Sequence, residues 1–134
     1  MVRIAVLDDY QDVARQMAGW DRLPPGTELQ FFHDTIKEPN ALVARLRPFQ
    51  VLVTMRERTP LPARVLEALP ELRLIAATGP RQASLDVAAA TRLGVLVCVT
   101  QSYGASTVEL TWALILAVTR HIPQEDRAMR QGRW

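Results

Sequence analysis

Residues 74–99 read LIAATGPRQASLDVAAATRLGVLVCV, and the fold class follows from this stretch. Leu74-Ile75-Ala76-Ala77 is a short run that is apolar at both parities, preceded by Pro70 and closed by Thr78-Gly79-Pro80. From residue 84 to 93 the apolar side chains Leu85, Ala88, Ala89 and Leu93 fall on one helical stripe, with Gly94 as the stop. Residues 95–99 are then apolar again. An apolar run, a turn, an amphipathic helix and a second apolar run make the βαβ unit of a parallel sheet buried on both faces.

Outward from this unit the pattern repeats. Ile4-Ala5-Val6-Leu7 is one apolar run, residues 29–32 follow the turn Pro24-Pro25-Gly26, and residues 51–53 follow Pro48. Helix-like stretches fill the gaps at 12–20, at 40–46 with Asn40 as N-cap, and at 62–69 opening on Pro62. Five strands alternating with four helices predict an α/β doubly wound layer, a five-stranded parallel sheet of flavodoxin-like order. The end of the chain differs. Ser106-Thr107-Val108-Glu109 has the form of a capping box, and the helix it would open is apolar nearly all round from 110 to 118. Such a helix needs cover on every face, so it is predicted to pack against another chain or domain. Pro123 is expected to break or bend it, with 124–134 a polar continuation. The expected division is an α/β domain over 1–103 and a helical segment over 104–134.

Composition narrows the function. Of 134 residues 49% are hydrophobic and 22% charged, the balance of an ordinary soluble domain, and 16 Lys+Arg against 14 Asp+Glu give a net charge of +2. All the basic residues except Lys37 are arginines, scattered rather than gathered, which argues against a nucleic-acid interface. The single Cys98 excludes an internal disulfide and a multi-cysteine zinc site. His33 and His121 have no ligand spacing around them, so no metal is expected. The longest fully apolar run, 112–118, is about a third of a membrane span. Arg3 inside the first apolar run does not fit a secretory leader. A cytoplasmic protein without a membrane partner is expected.

In an open α/β sheet the ligand crevice lies beyond the carboxyl ends of the strands. Asp8-Asp9 after the first strand invites a receiver-domain reading. That reading requires an aspartate after the third strand and a lysine after the fifth. Met55-Arg56 occupies the first place and no lysine the second, so it is excluded; the pair is expected to cap the following helix. Arg56 and Arg58 flank Glu57 at the third strand's end. Either can grip a carboxylate or phosphate bidentately, or both are surface partners of Glu57. Thr78-Gly79-Pro80-Arg81 allows backbone amides to approach an anion, or is a plain turn. The glycines stand at 19, 26, 79, 94, 104 and 132, so no G-x-G-x-x-G dinucleotide loop exists.

Four segments in this order resemble the N-terminal part of the D-isomer-specific 2-hydroxyacid dehydrogenases, the phosphoglycerate dehydrogenase-like group. They are Ile4 to Tyr10, Arg56 with Thr59-Pro60, residues 72–86, and residues 106–120, within which Glu109-Leu110-Thr111-Trp112-Ala113-Leu114-Ile115-Leu116-Ala117 is the most specific. The resemblance covers essentially the whole chain. It implies a flavodoxin-like substrate-binding domain followed by the helix that opens an NAD-binding domain. It also implies that the loop at Gly79 holds the substrate carboxylate and that Arg56 reaches the substrate's distal group. Tyr103 is similar to a tyrosine near substrate and nicotinamide, and Thr107 to a position facing the cofactor. Arg81 stands where the family loop has its second glycine, and Pro80 removes one amide donor, which points to the Arg81 guanidinium as a partial substitute. Ala83-Ser84 replaces the loop's acidic-Asn pair.

The family's glycine-rich cofactor loop and its catalytic Arg, Glu and His would lie beyond residue 134. The resemblance therefore implies the substrate-binding half of an NAD-dependent oxidoreductase acting on small 2-hydroxy or 2-oxo acids, inactive alone, with no assignable catalytic residue. The helix at 106–120 is expected to make it a homo-oligomer. His121, at the end of that helix, reads as a partner of the helix dipole. The alternative is a stand-alone carboxylate-binding or dimerisation module without catalysis.

Overall fold

Alternating turns and short apolar runs give the chain its strand–helix rhythm. The computed structural model describes residues 1–101 and 104–133. The strands are β1 Val2–Val6, β2 Thr27–Phe31, β3 Val51–Thr54, β4 Leu74–Ala77 and β5 Leu96–Val99. The helices between them are α1 Ala14–Met17, α2 Pro39–Leu46, α3 Ala63–Glu67 and α4 Val87–Arg92, with a single 3-10 turn at Trp20–Arg22 after α1. All strand pairs are parallel, in the order β2-β1-β3-β4-β5. This is the flavodoxin-like sheet expected from the sequence.

One face of the sheet carries the main core. Ala5, Leu52 and Ile75 point into a cluster with Leu42 and Leu46 of α2, Val65 and Leu66 of α3, and Ala89 and Ala90 of α4. Strand residues alternate faces, so Ile4, Val51, Val53, Leu74 and Ala76 line the other side. There they floor an apolar hollow of about 710 Å³, walled by Trp20, Leu23 and the Pro24-Pro25 turn. Within residues 1–101, α1 and the 3-10 turn lie on this side.

Several local expectations are corrected. The 12–20 stretch yields only the four residues of α1. Asp12 holds φ at +52° before it and Ala18 is extended after it, and the Trp20 indole takes the Ala14 carbonyl at 2.8 Å. Helix α2 is capped by Glu38, whose carboxylate accepts the Asn40 and Ala41 amides, rather than by Asn40. Helix α4 starts at Val87 because Ser84 and Asp86 are drawn into a bridge with Leu61, whose amide reaches the Ser84 carbonyl at 2.7 Å. Gly94 stops α4 as expected, with φ +71°.

A second unit follows, comprising α5 Ala105–Thr119 and α6 Ile122–Arg130. Its first helix has Gly104 as N-cap with no side-chain cap, so Ser106 lies within the first turn and forms no capping box. His121, at φ +52°, turns the chain, and Pro123 sits in the first turn of α6, where a missing amide donor is harmless. None of the residues of α5 is buried; Leu110, Trp112, Leu114, Leu116 and Val118 are all exposed. No helix among the described residues is long and apolar enough to cross a membrane.

Candidate functional site

The loops after β1, β3, β4 and β5 meet around a cleft of about 440 Å³ at the carboxyl ends of the strands. Its frame is set by Asp8, a buried residue in the left-handed region at φ +60°. Its carboxylate accepts the hydroxyls of Thr35 at 2.5 Å and Thr59 at 2.7 Å. Its carbonyl accepts Arg58 Nη1 at 2.8 Å. One side chain thus ties together the loops after β1, β2 and β3, and the Arg58 guanidinium lies 4.2 Å from the centre of the Tyr10 ring, a cation–π contact.

Asp9 does what was expected of the pair, accepting the Val13 and Ala14 amides at 3.1 and 3.0 Å at the start of α1. Asp8 does not; its partners are hydroxyls far away in sequence. His33 Nδ1 lies 2.8 Å from the Asp9 carbonyl and its Nε2 3.8 Å from Asp12. Asp9, Asp12 and His33 are the one trio among the described residues with ligand atoms all within 4.8 Å. Both Asp9 oxygens are taken by amides, so the trio is a helix cap beside an exposed His33–Asp12 contact. At the end of β2, Arg45 grips Asp34 bidentately at 2.8 Å, and this hydrogen bonding holds the Asp34 carboxyl below the usual range.

Arg56 occupies the cleft wall in a conformation that favours glycine, φ +60°. The strain is held by the loop after β4, where Thr78 Oγ1 accepts the Arg56 amide at 2.8 Å. Gly79, at φ +95°, leaves room for the arginine, because a Cβ there would stand 3.0 Å from Arg56 Nη1. The Gly79 amide, expected to face an anion, donates instead to Thr100 Oγ1 at 2.8 Å. The loop 79–86 is stapled from the side by Glu57, which accepts the Ala83 amide at 3.0 Å. Gln82 closes it from within, donating to the Gly79 carbonyl at 3.0 Å. Glu57 is therefore no partner of either arginine, and among the described residues Arg56 is in no ion pair.

Of the residues singled out in the sequence, Arg56 and Gly79 are brought together. Pro80 and Arg81 are exposed and do not line the cleft. Thr107 belongs to α5 in the second unit, and Tyr103 lies outside the described residues. Sequence reasoning missed Thr78 and Thr100 as supports and Arg58 on Tyr10 as a fixed pair. The signal was present: a threonine follows directly on the last residue of both β4 and β5. The cleft offers a guanidinium, two threonine hydroxyls and apolar walls, which suits a small carboxylate.

Residues 4–124 match the family model described as D-isomer specific 2-hydroxyacid dehydrogenase, catalytic domain. The D-3-phosphoglycerate dehydrogenase of Archaeoglobus fulgidus is 33% identical over 94 residues, 69% of this chain and 18% of that enzyme. The glyoxylate reductase of Korarchaeum cryptofilum is 28% identical over 118 residues, 87% of this chain and 35% of that enzyme. Among solved structures, the phosphoglycerate oxidoreductase of Vibrio cholerae O395 superposes with a TM-score of 0.82 at 39% identity, covering 100% of this chain and 42% of that one. The chain thus spans well under half the length of these relatives.

Proposed function

This chain belongs to the D-isomer specific 2-hydroxyacid dehydrogenase family, and from that premise we propose that it is the substrate-binding part of an NAD-dependent oxidoreductase acting on 2-hydroxy acids. The observation that supports this most directly is Arg56: strained, supported from behind by Thr78, seated over a glycine and in no ion pair among the described residues. A guanidinium so placed can take a carboxylate through two parallel N–H donors. The Thr78 and Thr100 hydroxyls each accept an amide and keep a proton to donate to a further oxygen of the acid.

The residues present do not fit a dinucleotide. Gly79, two residues beyond the end of β4, has its amide committed to Thr100 and leads to a six-residue helix, and no second glycine follows it in the loop. No hydride step is therefore assigned to this chain, and Thr107 and Tyr103 remain proposed cofactor neighbours only. Acting alone, the 134 residues bind acid without oxidising it. The apolar circumference of α5 favours self-association through 106–120 over a lone monomer. A cytoplasmic setting fits the lone cysteine.

The test is paired. Purified chain mixed with NADH and a panel of 2-oxo acids should leave the 340 nm absorbance unchanged, while NMR titration with the same acids shifts the amides of Thr78 and Gly79. Turnover by the chain would defeat the division of labour; absence of any acid-dependent shift would defeat the site.

A further inference from the structure

We propose that the acid taken by this cleft carries one carboxylate, held by Arg56, and a bulky apolar side chain, branched or aromatic. The inference rests on the reading of the cleft as an acid site and names the class of acid.

The cleft has two guanidinium groups and one carboxylate on its walls, but they are not equally available. Asp9 is consumed by the first amides of α1. Arg58 is fixed in position by the Asp8 carbonyl and the Tyr10 ring, with one of its five donors used. Arg56 is the guanidinium with neither contact, free to turn onto the carboxylate. Apart from Gln11 and the Thr78 and Thr100 hydroxyls, the remaining wall is largely apolar: Met17, Trp20, Val53 and Met55 face the same space. At about 440 Å³ the cleft falls within the roughly 300–1,000 Å³ of pockets that enclose a drug-sized ligand. An acid of two or three carbons would leave most of that wall in contact with water. A branched or aromatic substituent would cover it, each buried methylene improving affinity about fourfold. A second anionic group would instead lose its hydration against methionine and tryptophan.

The experiment titrates the isotopically labelled 134-residue chain, by NMR, with D-lactate, D-2-hydroxyisocaproate, D-phenyllactate, 3-phosphoglycerate and, as a carboxylate-free probe, 2-phenylethanol. D-Phenyllactate and D-2-hydroxyisocaproate are expected to bind at least tenfold tighter than D-lactate and 3-phosphoglycerate, moving the Trp20 indole N–H together with the Gly79 amide. Arg56→Gln should weaken every acid by more than tenfold. Met17→Ala, at a position exposed enough for the fold to tolerate it, adds no charge and should weaken the apolar acids more than it weakens D-lactate. Equal or tighter binding of D-lactate or 3-phosphoglycerate overturns the proposal while the acid site stands, and binding of 2-phenylethanol as tight as D-phenyllactate removes the carboxylate from it. If no acid binds, the reading of the cleft as an acid site fails first, and the side-chain preference with it.

Discussion

Among the described residues, four other than glycine hold φ in the left-handed region, and two of them, Asp8 and Arg56, belong to the loops around the cleft. Such conformations cost of order 1–3 kcal/mol each and persist where the surroundings over-determine them. For Asp8 the surroundings are the Thr35 and Thr59 hydroxyls; for Arg56 they are Thr78 behind its amide and the bare Cα of Gly79 beside its guanidinium. Asp8→Ala leaves the buried Thr59 hydroxyl without its acceptor and places alanine at φ +60°. We expect a loss of about 2–4 kcal/mol in urea unfolding, with Asp8→Asn losing less because asparagine tolerates this backbone and keeps an acceptor. Gly79→Ala meets both the φ of +95° and the 3.0 Å approach to Arg56. It should destabilise by about 1–3 kcal/mol and weaken acid binding beyond what the lower stability explains, read by calorimetric titration at a temperature where the variant is fully folded. Wild-type affinity in Gly79→Ala would mean that the arginine does not need that space. These roles were only half legible in the sequence. Asp9 caps a helix four residues on, a distance that local rules cover. Asp8 depends on Thr35 and Thr59, 27 and 51 residues away, which nothing local could pair with it.

Helix ends show the same boundary between local and non-local causes. Asn40 is a good capping residue by type, yet Glu38 reaches both Asn40 and Ala41 amides because Pro39 occupies the first turn and leaves those amides exposed to it. These two backbone donors hold the Glu38 carboxyl below the usual glutamate range. A depressed folded value means that the cap's contribution is present above the ordinary glutamate value and is lost as pH falls through the lowered one. The urea midpoint of the wild type should therefore exceed that of Glu38→Gln at neutral pH, and the gap should close in acid, below the usual glutamate range. A gap that is the same at neutral and strongly acidic pH would show that the carboxylate's charge plays no part. Helix α4 makes the converse point. Its apolar stripe was readable from residue 84, but Leu61 captures Ser84 and Asp86 into a bridge, so tertiary pairing took the first turn that periodicity had granted to the helix.

At the scale of the whole chain, the parallel order of the sheet was legible because apolar runs at both parities and helix-length connections admit few arrangements. What covers each face was not. The same both-faced pattern in β3, with Leu52 buried and Val51 and Val53 half-buried, says only that two faces avoid water. It does not name the second layer. In residues 1–101 helices α2, α3 and α4 satisfy one face while the other keeps its hollow above Ile4, Val53 and Ala76. The second unit, taken by itself, presents the apolar sides of α5. Two such surfaces in one chain predict concentration-dependent association, and they predict where it can be removed. Glutamates at Leu110 and Leu114, both more than half exposed, should lower the light-scattering mass to that of a monomer. They should leave the acid-induced shifts of Thr78 and Gly79 unchanged, because those residues belong to the first unit. If the double variant remains associated, the sheet hollow rather than α5 holds the copies together; charged substitution at Val51, half-buried on that face, would then be the change that disperses them.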